Sequence, residues 1–438
     1  MARILTEPLR RALIVEAPHA SLESHLATYG IEAVRLDRVP DDQALIDALR
    51  QARAQVLFKR SRVPVTRAVV EACPELQVVA LCCIGDDSVD KEATADHGLL
   101  VVNDPVSNAR SVVELAVAHM IGLSRRLYET DRETRAHGWD KSATLRFEVA
   151  DKKLGIVGLG NIGRQVARTA EALGMDVAFF DTREVAQEVG QEMGWRRTES
   201  LQELFRSVDV VSVHTSAKDA WGQDNEGLLD PVLAELGADL PGDSPRIFLN
   251  LARGNLHSAQ ALLDAVASGA VRHAAVDVFP EEPSPGSPWR NPYADEPHIV
   301  CTPHIGAATQ EAQPRIARRV ARTVGELSRF GALRDCVYAQ RVQLALPQPR
   351  VGQAVLAVVH STERGTKKAV QDAIYDAEAS TLASTQQDFP NGIAYDLSVL
   401  DRPLRTHELE ALAGRAAELA KDPTAIRSVR QVVVPEGW

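Results

Sequence analysis

The sequence is poor in cysteine and offers no arrangement of it that would hold a metal or a disulfide framework. Cys73, Cys82, Cys83, Cys301 and Cys336 are an odd set, and none are spaced C-x-x-C. The adjacent Cys82 and Cys83 suit neither a zinc knuckle nor a secreted scaffold. No metal site is expected, and a reducing, cytoplasmic setting is the simplest reading. Long apolar runs are also missing. None approaches the roughly 18 residues of a membrane span, and the N-terminus lacks the apolar core of a signal peptide. Cationic excess is absent too: 49 Lys and Arg against 60 Asp and Glu leave a formal charge of -11. A general nucleic-acid-binding surface is therefore not expected, although local basic pockets for an anionic metabolite remain open.

What the chain does have is one organising stretch, Leu154 to Asp181. A short apolar run, Leu154 to Val157, reads as a buried parallel strand. Gly158, Gly160 and Gly163 follow in G-x-G-x-x-G spacing, with Asn161 and Ile162 between them. An amphipathic segment runs to Leu173, Gly174 stops it, and Val177 to Phe180 leads into Asp181. Gly158 permits the tight turn, Gly160 admits a pyrophosphate to the backbone, and Gly163 lets helix and strand pack closely. The helix N-terminus would face the phosphates with free N–H groups and its positive dipole end. Asp181 can accept both hydroxyls of an adenosine ribose and would repel a 2′-phosphate, so NAD is the expected cofactor. Arg183, close by, weakens that preference slightly.

With 438 residues the chain has room for two or three domains. Strands and helices alternate from residue 11 to 103 and again beyond Asp181, which predicts two doubly wound parallel sheets. A long helix is expected within Ser107 to Tyr128, with Ser111 as N-cap and Glu114 completing a capping box. Asp131 to Ala150 reads as a polar connection. Ala217 to Pro245 is a long connection that could hold a helix over Asp230 to Leu236. A helix is expected from Gln310 to Arg329, and Leu346 to Gly352 reads as a linker. The tail follows a βαββαβ order, a ferredoxin-like sandwich.

Three residues follow predicted strands and could carry chemistry. Arg253 sits in NLARG, Glu282 in DVFPEEP and His304 in TPHIG. In an open parallel sheet the strand C-termini line the ligand crevice. A guanidinium can fork onto a carboxylate, a His near neutrality can exchange a proton with a hydroxyl, and a carboxylate beside that His raises its pKa. Taken singly, each residue could equally be a surface Arg, a solvated Glu or a His that caps a helix.

Together, GLGNIG, NLARG, DVFPEEP and TPHIG resemble the D-2-hydroxyacid dehydrogenases, over about residues 55 to 330. CIGDDSVD, SNARSVVEL and TPHIGAATQEAQ narrow the resemblance to the members that act on 3-phosphoglycerate. It implies a discontinuous substrate-binding domain, 1–107 with 304–345, an NAD-binding domain over 108–303, and an ACT-like regulatory unit over 352–438. It further implies Arg253 as carboxylate anchor, His304 as acid/base and Glu282 as its partner. Asp277 would hold the nicotinamide carboxamide. His214, Thr215, Leu251, Ala252 and Gly306 would complete the NAD site.

For the substrate, the resemblance implies Arg60 and Ser61 of the KRSR run, with Ile84, Gly85 and Asn108 closing the pocket. Trp139 and Lys141 also match the phosphoglycerate pattern. Asp86 departs from the small neutral residue usual beside Gly85 and would repel a phosphate if it pointed inward. The implied activity is NAD-dependent oxidation of 3-phospho-D-glycerate, the entry into serine synthesis. A hydroxypyruvate or glyoxylate reductase and a non-catalytic NAD-sensing protein are the alternatives. A homo-oligomer, with a tetramer favoured through paired ACT-like units, is expected. At the two places where serine-inhibited relatives carry asparagine, this chain has Thr362 and Thr381, although His360 is kept.

Overall fold

A computed structural model describes residues 2–36, 38–218, 224–283, 288–338 and 342–433. It divides into two compact units, Met1–Ser107 with Gln313–Trp438, and Asn108–Ala312. Among the described residues no helix is long and apolar enough to cross a membrane.

In the first unit, the strands are β1 (Arg3–Leu5), β2 (Arg11–Val15), β3 (Glu32–Leu36), β4 (Val56–Lys59), β5 (Val78–Leu81) and β6 (Leu100–Val102). Five of them form a parallel sheet in the order β3-β2-β4-β5-β6. Every residue of β4, β5 and β6 is buried, as continuous apolar runs require when helices cover both faces. The covering helices Asp42–Ala52, Arg67–Ala72 and Lys91–Asp96 are short. Asp41, Thr66 and Asp90 each cap one by accepting the third N–H of the first turn.

The second unit holds β7 (Lys153–Val157), β8 (Asp176–Phe180), β9 (Arg196–Arg197), β10 (Val210–Val213), β11 (Ile247–Asn250), β12 (His273–Val276) and β13 (Ile299–Cys301). All are parallel, in the order β13-β12-β11-β10-β7-β8-β9. The chain winds outward from β7 in one direction and from β10 in the other. The crevice beyond the C-terminal ends of β7 and β10 is thus the topological switch point where such sheets take ligands.

Local expectations and structure differ in four places. Ser111 is not a cap: the helix spans Ala109–Ser124 behind Asn108, and the Ser111 hydroxyl instead lies 2.9 Å from Thr309 Oγ1. A buried hydroxyl partner outweighed a local cap. Asp230 to Leu236 forms only a 3-10 turn, Leu233–Glu235, and part of that connection (219–223) lies outside the described residues. The polar connection after Tyr128 contains a helix, Leu127–Arg135, with no buried residue. The helix expected from Gln310 begins at Ala312 and runs to Phe330.

Beyond that helix come the short pair β14 (Leu333–Arg334) and β15 (Gln343–Leu344), then β16 (Ala354–Ser361), β17 (Thr381–Asp388), β18 (Ile393–Leu400) and β19 (Ile426–Val433). With helices Thr366–Asp376 and Thr406–Ala420, the last four strands have βαββαβ order, and their sheet runs β19-β16-β18-β17. Leu356, Val358 and Val429 pack on Val370, Leu409 and Leu412 of the helices, so one sheet face is covered by helix. β1 adds a parallel fifth strand beside β19.

Gly163 is a point of close approach in the second unit. A Cβ there would fall 2.2 Å from the Gly158 carbonyl oxygen. We expect Gly163→Ala to cost about 1–3 kcal/mol of stability through overpacking, and to weaken NADH binding at least tenfold as the helix is pushed off the turn. Thermal melts and NADH fluorescence titration would test this; unchanged binding would show that the close approach is not needed.

Candidate active site

His304, Glu282 and Arg253 converge within the second unit. His304 Nδ1 lies 2.8 Å from Glu282 Oε2. Arg253 is near enough for its charge to lower the Glu282 pKa and to oppose protonation of His304. The Glu282 hydrogen bond, the largest influence on the imidazole, outweighs burial and raises the His304 pKa above its ordinary 6.5. Burial pushes the Glu282 carboxyl up, but the bond to His304 and the nearby positive charges hold it below the usual range. The pairing favours the charged form of each partner, and both are half-exposed. With Nδ1 engaged by Glu282, Nε2 is the nitrogen left to meet a substrate.

The loop carrying His304 is fixed from beneath by Asp277, at the end of β12. Asp277 is buried and accepts three hydrogen bonds: from Thr302 Oγ1 at 2.6 Å, and from the Ile305 and Gly306 N–H groups at 2.8 Å each. His304 itself sits at φ 55°, in the left-handed region, where a bulky residue rarely stays without such support. Gly306 passes close: a Cβ there would lie 3.0 Å from Asp277 Oδ2. The Arg253 loop is held in the same manner. Asn250, wholly buried at the end of β11, donates to the Arg253 carbonyl at 3.0 Å and accepts the Ala252 N–H at 3.0 Å. Arg253 Nη1 bonds the Ala252 carbonyl at 2.9 Å. Gly254 allows that loop to lie on Phe279, whose backbone would be 2.0 Å from any Cβ. Asn250 and Thr302 were not singled out from the sequence. Their signal was a polar residue closing a buried apolar strand.

The residues of the glycine turn fit a dinucleotide. Among the described residues no side chain caps the helix Asn161–Ala172, whose N-cap is Gly160. A Cβ on Gly160 would meet nothing nearer than Arg183 Nη2 at 3.9 Å, so an open cradle lies before the helix N-terminus. Gly158, at φ 89°, packs on the His214 carbonyl and the Thr215 N–H, which joins the end of β10 to the turn. Burial holds the His214 pKa down to about 3, so the ring is neutral, with Nε2 2.8 Å from Ser212 Oγ. Ile162 and Leu251 pack in the core around the turn.

Asp181 is buried and already engaged. Its Oδ2 accepts the Leu159 N–H and Arg183 Nη2, both at 2.7 Å, while Oδ1 accepts the Arg183 N–H and Nε at 2.9 and 3.0 Å. Burial works against ionisation here, but the Arg183 guanidinium and the N–H donors overcome it and keep the carboxyl below its usual pKa. A ribose would thus meet a carboxylate–guanidinium pair rather than a bare acid.

In the first unit, the KRSR loop is shaped by a residue the sequence did not flag. Glu16, buried and at φ 64°, accepts the N–H groups of Arg60 (2.7 Å), Arg62 (2.6 Å) and Val63 (3.0 Å). Lys59 turns inward: it is buried, its Nζ donates to Ser88 Oγ at 2.6 Å, and burial lowers its pKa. Arg60 and Ser61 face outward, half-buried and exposed. The Ile84 carbonyl accepts Asn103 Nδ2 at 2.7 Å, and the Gly85 carbonyl accepts the Cys83 thiol at 3.2 Å. Asp86 is paired with Lys91 at 3.0 Å, which offsets its charge beside Gly85. In the second unit, Asn108 precedes the helix Ala109–Ser124, and its buried Oδ1 has no hydrogen-bond partner among the described residues. Trp139 and Lys141 lie on an exposed arm, Trp139 at 82% exposure.

Comparison with known proteins is consistent with this geometry. Residues 117–306 match the model of the D-isomer specific 2-hydroxyacid dehydrogenase NAD binding domain. The chain is 33% identical to the D-3-phosphoglycerate dehydrogenase of Escherichia coli K12, over 79% of this chain and 82% of that one. It is 35% identical to the enzyme of the same name from Haemophilus influenzae, over 78% and 81%. A glyoxylate reductase structure from Paecilomyes thermophila superposes with a TM-score of 0.64 at 23% identity, covering 75% of this chain and 98% of that one. That last likeness shows the fold alone.

The ion pair makes a direct prediction. In an NMR titration, His304 should deprotonate above pH 6.5, and Glu282→Gln should move the midpoint down toward that value. A midpoint insensitive to the substitution would refute the coupling.

Proposed function

The chain belongs to the D-isomer specific 2-hydroxyacid dehydrogenases, and on that premise we propose that it oxidises 3-phospho-D-glycerate to 3-phosphohydroxypyruvate with NAD, at the entry to L-serine synthesis. The pairing of His304 with Glu282 beside Arg253 carries the reading. The Arg253 guanidinium holds the substrate carboxylate through its fork. In its neutral form His304 takes the hydroxyl proton at Nε2, and Glu282 stabilises the imidazolium that results. NAD, when bound, supplies the hydride acceptor. Gly158, Gly160, Asn161 and Gly163 hold its phosphates, and Asp181 receives the ribose. Among the described residues Asp277 Oδ2 accepts only the Gly306 N–H, which leaves acceptor capacity for the nicotinamide carboxamide.

A phosphate on the substrate calls for a further cation. We assign it to Arg60 with Ser61, since Lys59 is turned into the core. The Asp86–Lys91 pair supports a phosphorylated substrate, because the one carboxylate that opposed it is partnered. The segments 1–107 and 304–345 form the substrate-binding domain, 108–303 the NAD domain, and 352–438 an ACT-like unit. Free thiols at all five cysteines suit a cytoplasmic enzyme. The exposed Trp139 and Leu127 suit an oligomer, with a tetramer favoured. A hydroxypyruvate or glyoxylate reductase, or an NAD-sensing binder, remain the other readings. Thr362 spends its hydroxyl on the Gly392 carbonyl at 3.3 Å, so feedback by L-serine should be weak or absent.

Two measurements test these assignments. NADH oxidation should run faster, as kcat/KM, with 3-phosphohydroxypyruvate than with hydroxypyruvate or glyoxylate, and His304→Ala should abolish turnover while sparing NADH binding. Turnover of only the unphosphorylated acids would favour the reductase, and full activity in His304→Ala would dismiss the mechanism. L-Serine at micromolar concentration should leave the rate unchanged; strong inhibition would overturn the feedback inference.

A further inference from the structure

Within the first unit, the helix-free face of the C-terminal sheet carries a cationic cleft that the dehydrogenase chemistry does not use. Register places Arg3 beside Ser428 and Leu5 beside Arg430, on neighbouring strands β1 and β19. Side chains two apart on a strand share a face, so Arg3, Ser428 and Arg430 line one surface. Tyr395 of β18 extends it, and Gln77 and Gly98 border it from the segments leading into β5 and β6. The space free of protein atoms is about 340 Å³, part of it open to solvent.

The charge in this cleft is uncompensated. Arg430 is 6% exposed, yet its Nη1 has no hydrogen-bond partner. Its Nη2 donates to Gln77 Oε1, a neutral acceptor. Arg3 donates to the Leu76 carbonyl, also neutral. Among the described residues neither arginine forms an ion pair with a carboxylate. Burial lowers the pKa of both, Arg430 to about 10. A buried cation with no counter-charge is costly to hold and is relieved by an anion that completes it. The Tyr395 hydroxyl is occupied by the Gly331 carbonyl at 2.7 Å, so it fixes the wall rather than competing for a ligand.

We propose that Arg3, Arg430 and Gln77 form a binding site for a small oxyanion of the phosphate type, clamped where the N-terminal strand joins the C-terminal sheet. Two guanidinium groups with free N–H donors match tetrahedral oxyanions better than halide or a neutral amino acid. Because Arg3 belongs to β1 and Arg430 to β19, the anion ties the first strand of the chain to its last. Its occupancy therefore couples the attachment of β1 to the anion concentration. This site is separate from the residues assigned to substrate, and its existence does not rest on the proposed reaction.

Equilibrium dialysis of the full-length protein with radiolabelled orthophosphate, at constant ionic strength, tests the site. An Arg60→Gln/Arg253→Gln variant removes the phosphate and carboxylate contacts assigned to the substrate, and should still bind one phosphate per chain. Adding Arg3→Gln or Arg430→Met to it should weaken that binding at least tenfold, while NADH binding persists. Arg3 lies on a partly exposed edge strand, so Arg3→Gln decides the matter should Arg430→Met fail to fold. Competition by glycerol 3-phosphate would identify a phosphate ester as the occupant, and its absence the free ion; either result supports the site. Loss of all phosphate binding in Arg60→Gln/Arg253→Gln, or undiminished binding after Arg3→Gln, would overturn it.

Discussion

The second unit depends on one buried carboxylate. Asp277 closes β12 and turns its two oxygens on the loop that follows β13, capturing one hydroxyl and two N–H groups. A buried carboxylate is tolerated only when its lone pairs are filled. Here the donors that fill them flank His304: the Thr302 hydroxyl before it and the Ile305 and Gly306 N–H groups after it. The same bonds that make Asp277 affordable inside the protein therefore aim the imidazole at Glu282. Without them, a histidine at positive φ between Pro303 and Gly306 would sample many orientations. Proton transfer needs the nitrogen within hydrogen-bond reach of the reacting oxygen, so rigidity of this loop is a chemical requirement.

The device recurs. Asn250 secures the Arg253 loop from the end of β11, and Glu16 secures the KRSR loop from the end of β2. In each case a buried polar side chain at a strand C-terminus gathers the backbone of a neighbouring loop. Parallel sheets make this natural. Their strand ends emerge together on one edge, and the loops there have unpaired N–H groups to satisfy. The inward polar work of those loops is done by these buried side chains rather than by Arg60, Arg253 or His304.

Electrostatics assigns the protonation states. Glu282 is held below its usual range and His304 above its own, each by the charged form of the other. His214, at about 3, is a neutral ring beside the glycine turn. Two histidines in one unit are thus shifted in opposite directions, one by an acid within 2.8 Å and the other by burial alone. Asp181 shows a third outcome: its charge is kept, but shared with Arg183.

Much of this protein was legible in its sequence, and the division has a physical basis. The alternation of strands and helices, the glycine turn and the βαββαβ tail follow from short-range periodicity and turn chemistry, which a sequence states directly. Arg253, Glu282 and His304 were visible because each follows an apolar strand, and parallel topology brings such ends to one edge. The sequence did not reveal that β1 is a strand at all, because Arg3–Leu5 owes its state to a partner at the far end of the chain. Nor did it reveal that Ser111 abandons a cap for Thr309, that Asp86 is answered by Lys91, or that Lys59 points inward while Arg60 does not. Local sequence determined which elements form and in what order. Only the tertiary structure decided which polar groups meet, because that depends on pairing between segments distant in the chain.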